Sequence, residues 1–130
     1  MRKVLTLAGL ALSCALTFGH GAAQETYPSK PVRIVVSFAA GGPTDQVARI
    51  MSAKLTELLG QTFLVENKTG AGGNLGAAEV AKAPPDGYAL LMATVSTHAI
   101  NPGLYRSMPY DPVKDFAPVT KDQSEQLAFR

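Results

Sequence analysis

The sequence predicts an α/β fold built on a parallel sheet. Three observations lead there: strand-like runs alternate with helical periods, the strands are apolar on both faces, and glycines gather at the strand-to-helix corners. Val32 to Phe38 is rich in β-branched residues, as a strand buried on both sides requires. From Val47 the period changes, with Val47, Met51, Leu55 and Leu58 on one stripe, Ala48 and Leu59 beside it, and Gly60 as the stop. Gln61 to Asn67 contains Phe63-Leu64-Val65, a short second strand. Leu75, Ala78 and Ala81 then predict a shorter helix over Asn74 to Lys82. Pro84-Pro85-Asp86-Gly87 is a turn that no helix crosses, and Tyr88 to Thr94 is a third apolar strand. Right-handed crossovers between such strands give a three-layer arrangement that binds ligands at the carboxyl ends of the strands.

The corners are where chemistry is expected. The first reads Phe38-Ala39-Ala40-Gly41-Gly42-Pro43-Thr44-Asp45, the second Thr69-Gly70-Ala71-Gly72-Gly73-Asn74, and the third Val95-Ser96-Thr97-His98. Glycine lets backbone approach a ligand closely, and the first amides of the following helix offer donors to an anion. A small, negatively charged ligand is the expectation. Gly41 and Gly42 serve either the ligand or the turn alone. Asp45 is ambiguous in another way, since a carboxylate in the first helical turn is favourable through the helix dipole yet repels an anion. It either steadies the helix start or meets an amino group, a hydroxyl group or a bridging water.

Several functions are excluded or left remote. Gly70 to Gly76 gives G-x-G-x-x-x-G, with Leu75 where the dinucleotide fingerprint needs glycine, and no G-x-x-x-x-G-K-[ST] occurs, so a nucleotide-binding enzyme is only a remote alternative. His98 is the only histidine beyond the N-terminal segment that carries His20 and is expected to be removed, and one histidine without cysteine or a second histidine makes no metal site. Ser96, Thr97 and His98 are adjacent in a loop, which is not a triad, so no catalysis and no cofactor are expected. A polar wall of a ligand cleft, or capping of the next turn, remains for them. Tyr105 and Tyr110 read as packing residues.

Met1-Arg2-Lys3, the apolar Val4 to Phe18 and the small Gly21-Ala22-Ala23 form a signal peptide pattern, residues 1–23, with cleavage expected between Ala23 and Gln24 and a periplasmic destination. The only cysteine, Cys14, lies inside it, so no disulfide or thiolate site is expected beyond it. Arg2 and Lys3 account for the excess of 12 basic over 10 acidic residues, and the neutral remainder argues against a nucleic-acid partner.

Six segments in order carry a resemblance. They are Tyr27-Pro28-Ser29-Lys30-Pro31-Val32-Arg33, Ala40-Gly41-Gly42-Pro43-Thr44-Asp45, the run from Val65 to Gly76, Pro85-Asp86-Gly87-Tyr88, Thr97-His98-Ala99-Ile100-Asn101-Pro102, and Tyr110 to Val119. Together they resemble the extracytoplasmic solute receptors of tripartite tricarboxylate transporters, the Bug receptors. The resemblance implies part of the first domain of a type II periplasmic-binding-protein-like fold over residues 24–120. It also implies capture of a small carboxylate solute, with membrane transporter subunits of the tripartite tricarboxylate type as partners. Carried over residue by residue, it implicates Phe38, Ala40, Gly41, Gly42, Thr44 and Asp45 at the first corner and Ser96, Thr97 and His98 at the third. Gly72 and Gly73 join them as a corner with some ligand or water contact. Residues 121–130 depart from the family pattern as a divergent polar tail without a strand period, expected to be disordered. The expectation is therefore a three-stranded sheet with one unpaired edge, from a receptor fragment or, alternatively, a non-functional truncated remnant.

Overall fold

The computed structural model describes residues 26–121 and 126–129. The expected signal peptide and its cleavage point lie outside the described residues. Along the chain run β1 (Val32–Val36), α1 (Pro43–Leu59), β2 (Phe63–Asn67), a tight turn (Ala71–Gly73) leading into α2 (Asn74–Ala81), and β3 (Ala89–Ala93). A wide π turn (Ser96–Ile100) then passes into the short α3 (Asn101–Leu104), followed by β4 (Ala117–Lys121) and β5 (Gln126–Phe129).

The sheet order is β2-β1-β3-β5-β4. β1 pairs in parallel with β2 and with β3, placing Ile34 opposite Val65 on one side and Leu90 on the other. Alternate residues of these strands feed two cores. Val32, Ile34, Val36, Phe63, Leu90 and Met92 pack with Ala48 of α1, while Val35, Leu91 and Ala93 pack with Ala77, Val80 and Ala81 of α2 and with Tyr110 and Phe116. One helix covers each face of the sheet, which confirms the expected α/β layering and explains why the strands lack polar alternation.

Helix α1 starts at Pro43, ahead of the first periodic apolar residue, because proline presets the first helical φ and needs no amide partner there. It ends at Gly60 in the left-handed region, whose amide bonds back to Thr56 O. Leu58 shares the stripe of Val47, Met51 and Leu55 yet is exposed. A helix of 17 residues is about 25 Å long against about 17 Å for a strand of five, so the last turn overhangs the sheet. On α2, Leu75 is likewise exposed, and the buried face is made of Asn74, Gly76, Ala77, Ala78, Val80 and Ala81. These small residues bring the helix close: a Cβ on Gly76 would lie 2.7 Å from Ser37 Oγ and 2.9 Å from Lys68 O.

The expectation of a three-stranded sheet with an open edge and a strandless tail is corrected. Gln126–Phe129 forms β5, antiparallel to both β3 and β4, with Leu127 opposite Met92 and Phe129 opposite Leu90. The unpaired backbone of β3 is the template that recruits it. Four residues are too few to display a period, which hid the strand in the sequence.

Candidate ligand site at the carboxyl ends of the strands

β1 and β3 lie side by side although β2 and both long helices separate them in sequence. The chain leaves β1 toward β2 on one side and returns to β3 on the other, so the crevice between their carboxyl ends is the switch point of the sheet, where ligands bind in open α/β folds. A cavity of about 240 Å³ occupies it, lined by Phe38, Gly42, Pro43, Thr44, Thr94 and Ser96. None of these side chains carries a formal charge. Gly42, at the start of α1, is extended (φ −75°, ψ 170°) and makes no side-chain cap bond, and this start of the helix, with Asp45 in its first turn, lies at the cavity.

Four of the sequence-predicted residues, Phe38, Gly42, Thr44 and Ser96, line this cavity. Pro43 and Thr94 line it as well and were missed; each is the immediate chain neighbour of a predicted corner residue, which was the available signal.

Ala40, Gly41 and Asp45 build the corner without lining the cavity. Asp45 is 2% exposed and both its oxygens are used. Oδ2 accepts from the Gly41 amide at 2.8 Å and from Arg49 Nε at 2.9 Å, and Oδ1 accepts from Asn67 Nδ2 at 2.9 Å. The Arg49 guanidinium, the Gly41 amide and the Asn67 amide together hold the Asp45 carboxyl well below the usual carboxylate range. Asn67 also donates to Phe38 O at 3.0 Å, tying the end of β2 to the end of β1. Of the two readings of Asp45, this geometry matches the helix-start role.

Gly72 and Gly73 also lie off the cavity. Gly73 is buried at φ +95°, and a Cβ there would stand 2.8 Å from Thr97 Cγ2 and 3.2 Å from Phe38 Cζ, so packing requires the glycine. Gly72 O accepts from Asn101 Nδ2 at 2.9 Å.

Thr97 and His98 do not line the cavity, and the His98 ring packs beside Tyr110 and Phe116. Thr97 is fully buried, its Oγ1 accepting from the Thr94 amide at 3.0 Å and lying 3.0 Å from His98 Nδ1. The His98 ring stands edge-on to Phe116, centroids 4.9 Å apart, and burial pulls its pKa down, which keeps the imidazole neutral. No group of acidic, cysteine or histidine side chains among the described residues is arranged to hold a metal.

The family described as "Tripartite tricarboxylate transporter family receptor" matches residues 47–127. This chain belongs to that receptor family. A UPF0065 protein in the TAR-I ttuE-ttuC' intergenic region of Agrobacterium vitis is 53% identical over 97 residues, covering 75% of this chain and 28% of that relative. The structure of MatC from Rhodopseudomonas palustris with bound malate aligns with a TM-score of 0.69 at 46% identity, over 72% of this chain and 32% of that one. A second R. palustris structure, with adipate, aligns at 0.70 and 46% identity, over 72% of this chain and 31% of that one. This receptor-family chain therefore spans about a third of the length of the relatives it matches. Among the described residues, no helix is long and apolar enough to cross a membrane.

Proposed function

We propose that this chain supplies the carboxylate-binding lobe of a periplasmic solute receptor that serves a membrane transporter of the tripartite tricarboxylate type. The observation that carries the reading is the cavity at the β1–β3 switch point, with the start of α1 at its edge. The positive end of α1 and the hydroxyls of Thr44, Thr94 and Ser96 suit a carboxylate end group, while Phe38 and Pro43 give an apolar wall for its carbon chain. The malate and adipate of the aligned structures are both dicarboxylates, which supports a small dicarboxylate as the solute class. Recognition, with no bond made or broken, is the task such a neutral lining can perform. In this reading Thr97 and His98, which do not line the cavity, act through its wall and not through contact with the solute.

The test is thermal unfolding and calorimetric titration of the chain with malate, adipate and an uncharged diol of matched length. Selective binding to the native state raises its melting temperature, so both dicarboxylates are expected to raise it and the diol to leave it unchanged. Ser96→Ala is expected to weaken dicarboxylate binding about three- to tenfold, the worth of one hydrogen bond. Equal shifts with the diol, or none with either acid, would overturn the reading.

A further inference from the structure

The segment after α3 has no place in the cavity, yet its Tyr110 is 5% exposed and reaches two corners at once. The Tyr110 hydroxyl donates to Thr97 O at 2.7 Å and lies 3.0 Å from Asn74 Oδ1. Asn101 Nδ2 donates to the same Asn74 oxygen at 2.7 Å and to Gly72 O at 2.9 Å. A phenol and two amides thus join the second corner, the π turn and α3. Thr97 passes the constraint onward, because its Oγ1 accepts the amide proton of Thr94, a lining residue, and its chain neighbour Ser96 is another.

The segment that delivers Tyr110 is itself stiff. Asp111 Oδ1 accepts from the Val113 and Lys114 amides at 2.9 and 3.0 Å, and the Asp111 amide donates to Asp115 Oδ2 at 2.7 Å. The Phe116 ring packs edge-on to Tyr110, centroids 5.7 Å apart. Burial pushes the Tyr110 hydroxyl up to about 12, so it remains a donor through the physiological range.

We propose that Tyr110 is a positioning residue for the candidate site, its hydroxyl holding the Thr97 carbonyl against Asn74 so that the Thr94 and Ser96 wall is set from outside the loops that form it. Only the ligand arm of the test rests on the solute-binding reading. The variant is Tyr110→Phe, which keeps the ring and removes the hydroxyl, compared with Val80→Ala, a core truncation in the same apolar cluster.

In the ligand-free chain, Tyr110→Phe is expected to speed hydrogen exchange of the Thr94 amide about tenfold beyond any rise at β1 and α1 amides, as loss of one supporting hydrogen bond implies. Val80→Ala is expected to change all of them together. Malate affinity is expected to fall about five- to tenfold in Tyr110→Phe and by clearly less when Ser96→Ala is already present, since both act on one wall. Thr94 exchange that follows the β1 and α1 amides in Tyr110→Phe overturns the proposal, as does unchanged malate affinity. Faster Thr94 exchange in a protein that binds no malate supports the positioning role and refutes the solute reading instead. Should Tyr110→Phe fail to fold, Asn101→Ala removes the donor to Asn74 Oδ1, and an unchanged Thr94 amide there likewise counts against the clamp.

Discussion

Asp45 takes the amide proton of Gly41 at 2.8 Å, so the residue that looked most like an adverse charge in an anion site is the one that closes the corner around it. The carboxylate draws Gly41, Arg49 and Asn67 to itself and leaves the cavity lining uncharged. Asp45→Ala is expected to lower the melting temperature by several degrees, because the Gly41 amide and Asn67 side chain lose their acceptor. Asp45→Asn, which keeps one oxygen, should lose less. Differential scanning calorimetry of both variants checks the order.

Acid sensitivity follows from the same group. Asp45 holds its proton more weakly in the fold than in the unfolded chain, so its contribution is complete above the ordinary aspartate value of 3.8 and is lost as pH falls below it. Asp86, held low chiefly by the Tyr88 amide, and Asp111, held low chiefly by the Val113 amide, act in the same direction. The melting temperature is expected to drop from about pH 4 downward, and less steeply in Asp45→Asn, measured by circular dichroism across pH 2 to 7.

The corner glycines should divide into two kinds. Gly41 has φ +84° with nothing within 4 Å of an added Cβ, so Gly41→Ala should cost only the backbone strain of about 1–2 kcal/mol. Gly73→Ala adds a 2.8 Å contact with Thr97 Cγ2 to a comparable φ, and should cost about 3 kcal/mol or more. Urea unfolding of the two variants decides it, and equal losses would mean that the Thr97 side of the corner yields freely.

β2 is an edge strand, and α1 guards part of it. Ser52 Oγ donates to Phe63 O while Thr56 Oγ1 accepts from the Phe63 amide at 3.0 Å. Ser52→Ala and Thr56→Ala should each cost about 1 kcal/mol, and together should promote self-association through the exposed edge. Denaturant unfolding gives the first quantity and sedimentation velocity the second.

The sequence revealed those features whose causes are local. β-branched runs, Gly60 as a stop and glycines at the corners depend on neighbours a few residues away, and they located β1, β2, β3 and both major helices. What escaped depended on distant partners. β5 exists because β3 has a free edge, which no four-residue run can announce. The direction of His98 is set by Phe116 and by the winding of the π turn, so its packing beside Tyr110 and Phe116 could not be read from Ser96-Thr97-His98 alone. Asp45 was legible as a helix-start residue, but its partner Asn67 lies 22 positions away.

Strand alignment has an unexpected guardian in Arg33. Because β1 buries apolar residues on both faces, Val32, Ile34 and Val36 toward α1 and Val35 toward α2, sliding it one position along its neighbours would exchange one apolar set for the other at little hydrophobic cost. Arg33 forbids that exchange: on the α2 face its guanidinium sits 3.5 Å from Glu66 of β2 and 3.3 Å from Glu79 of α2. A slip would carry the charge to the α1 face, among Ala48 and Met51 and away from both carboxylates, where an unpaired ion is costly. A half-exposed surface ion pair, worth little as cohesion, thereby acts as the proofreading mark of the sheet, rejecting the misthreaded chain more than it strengthens the correct one.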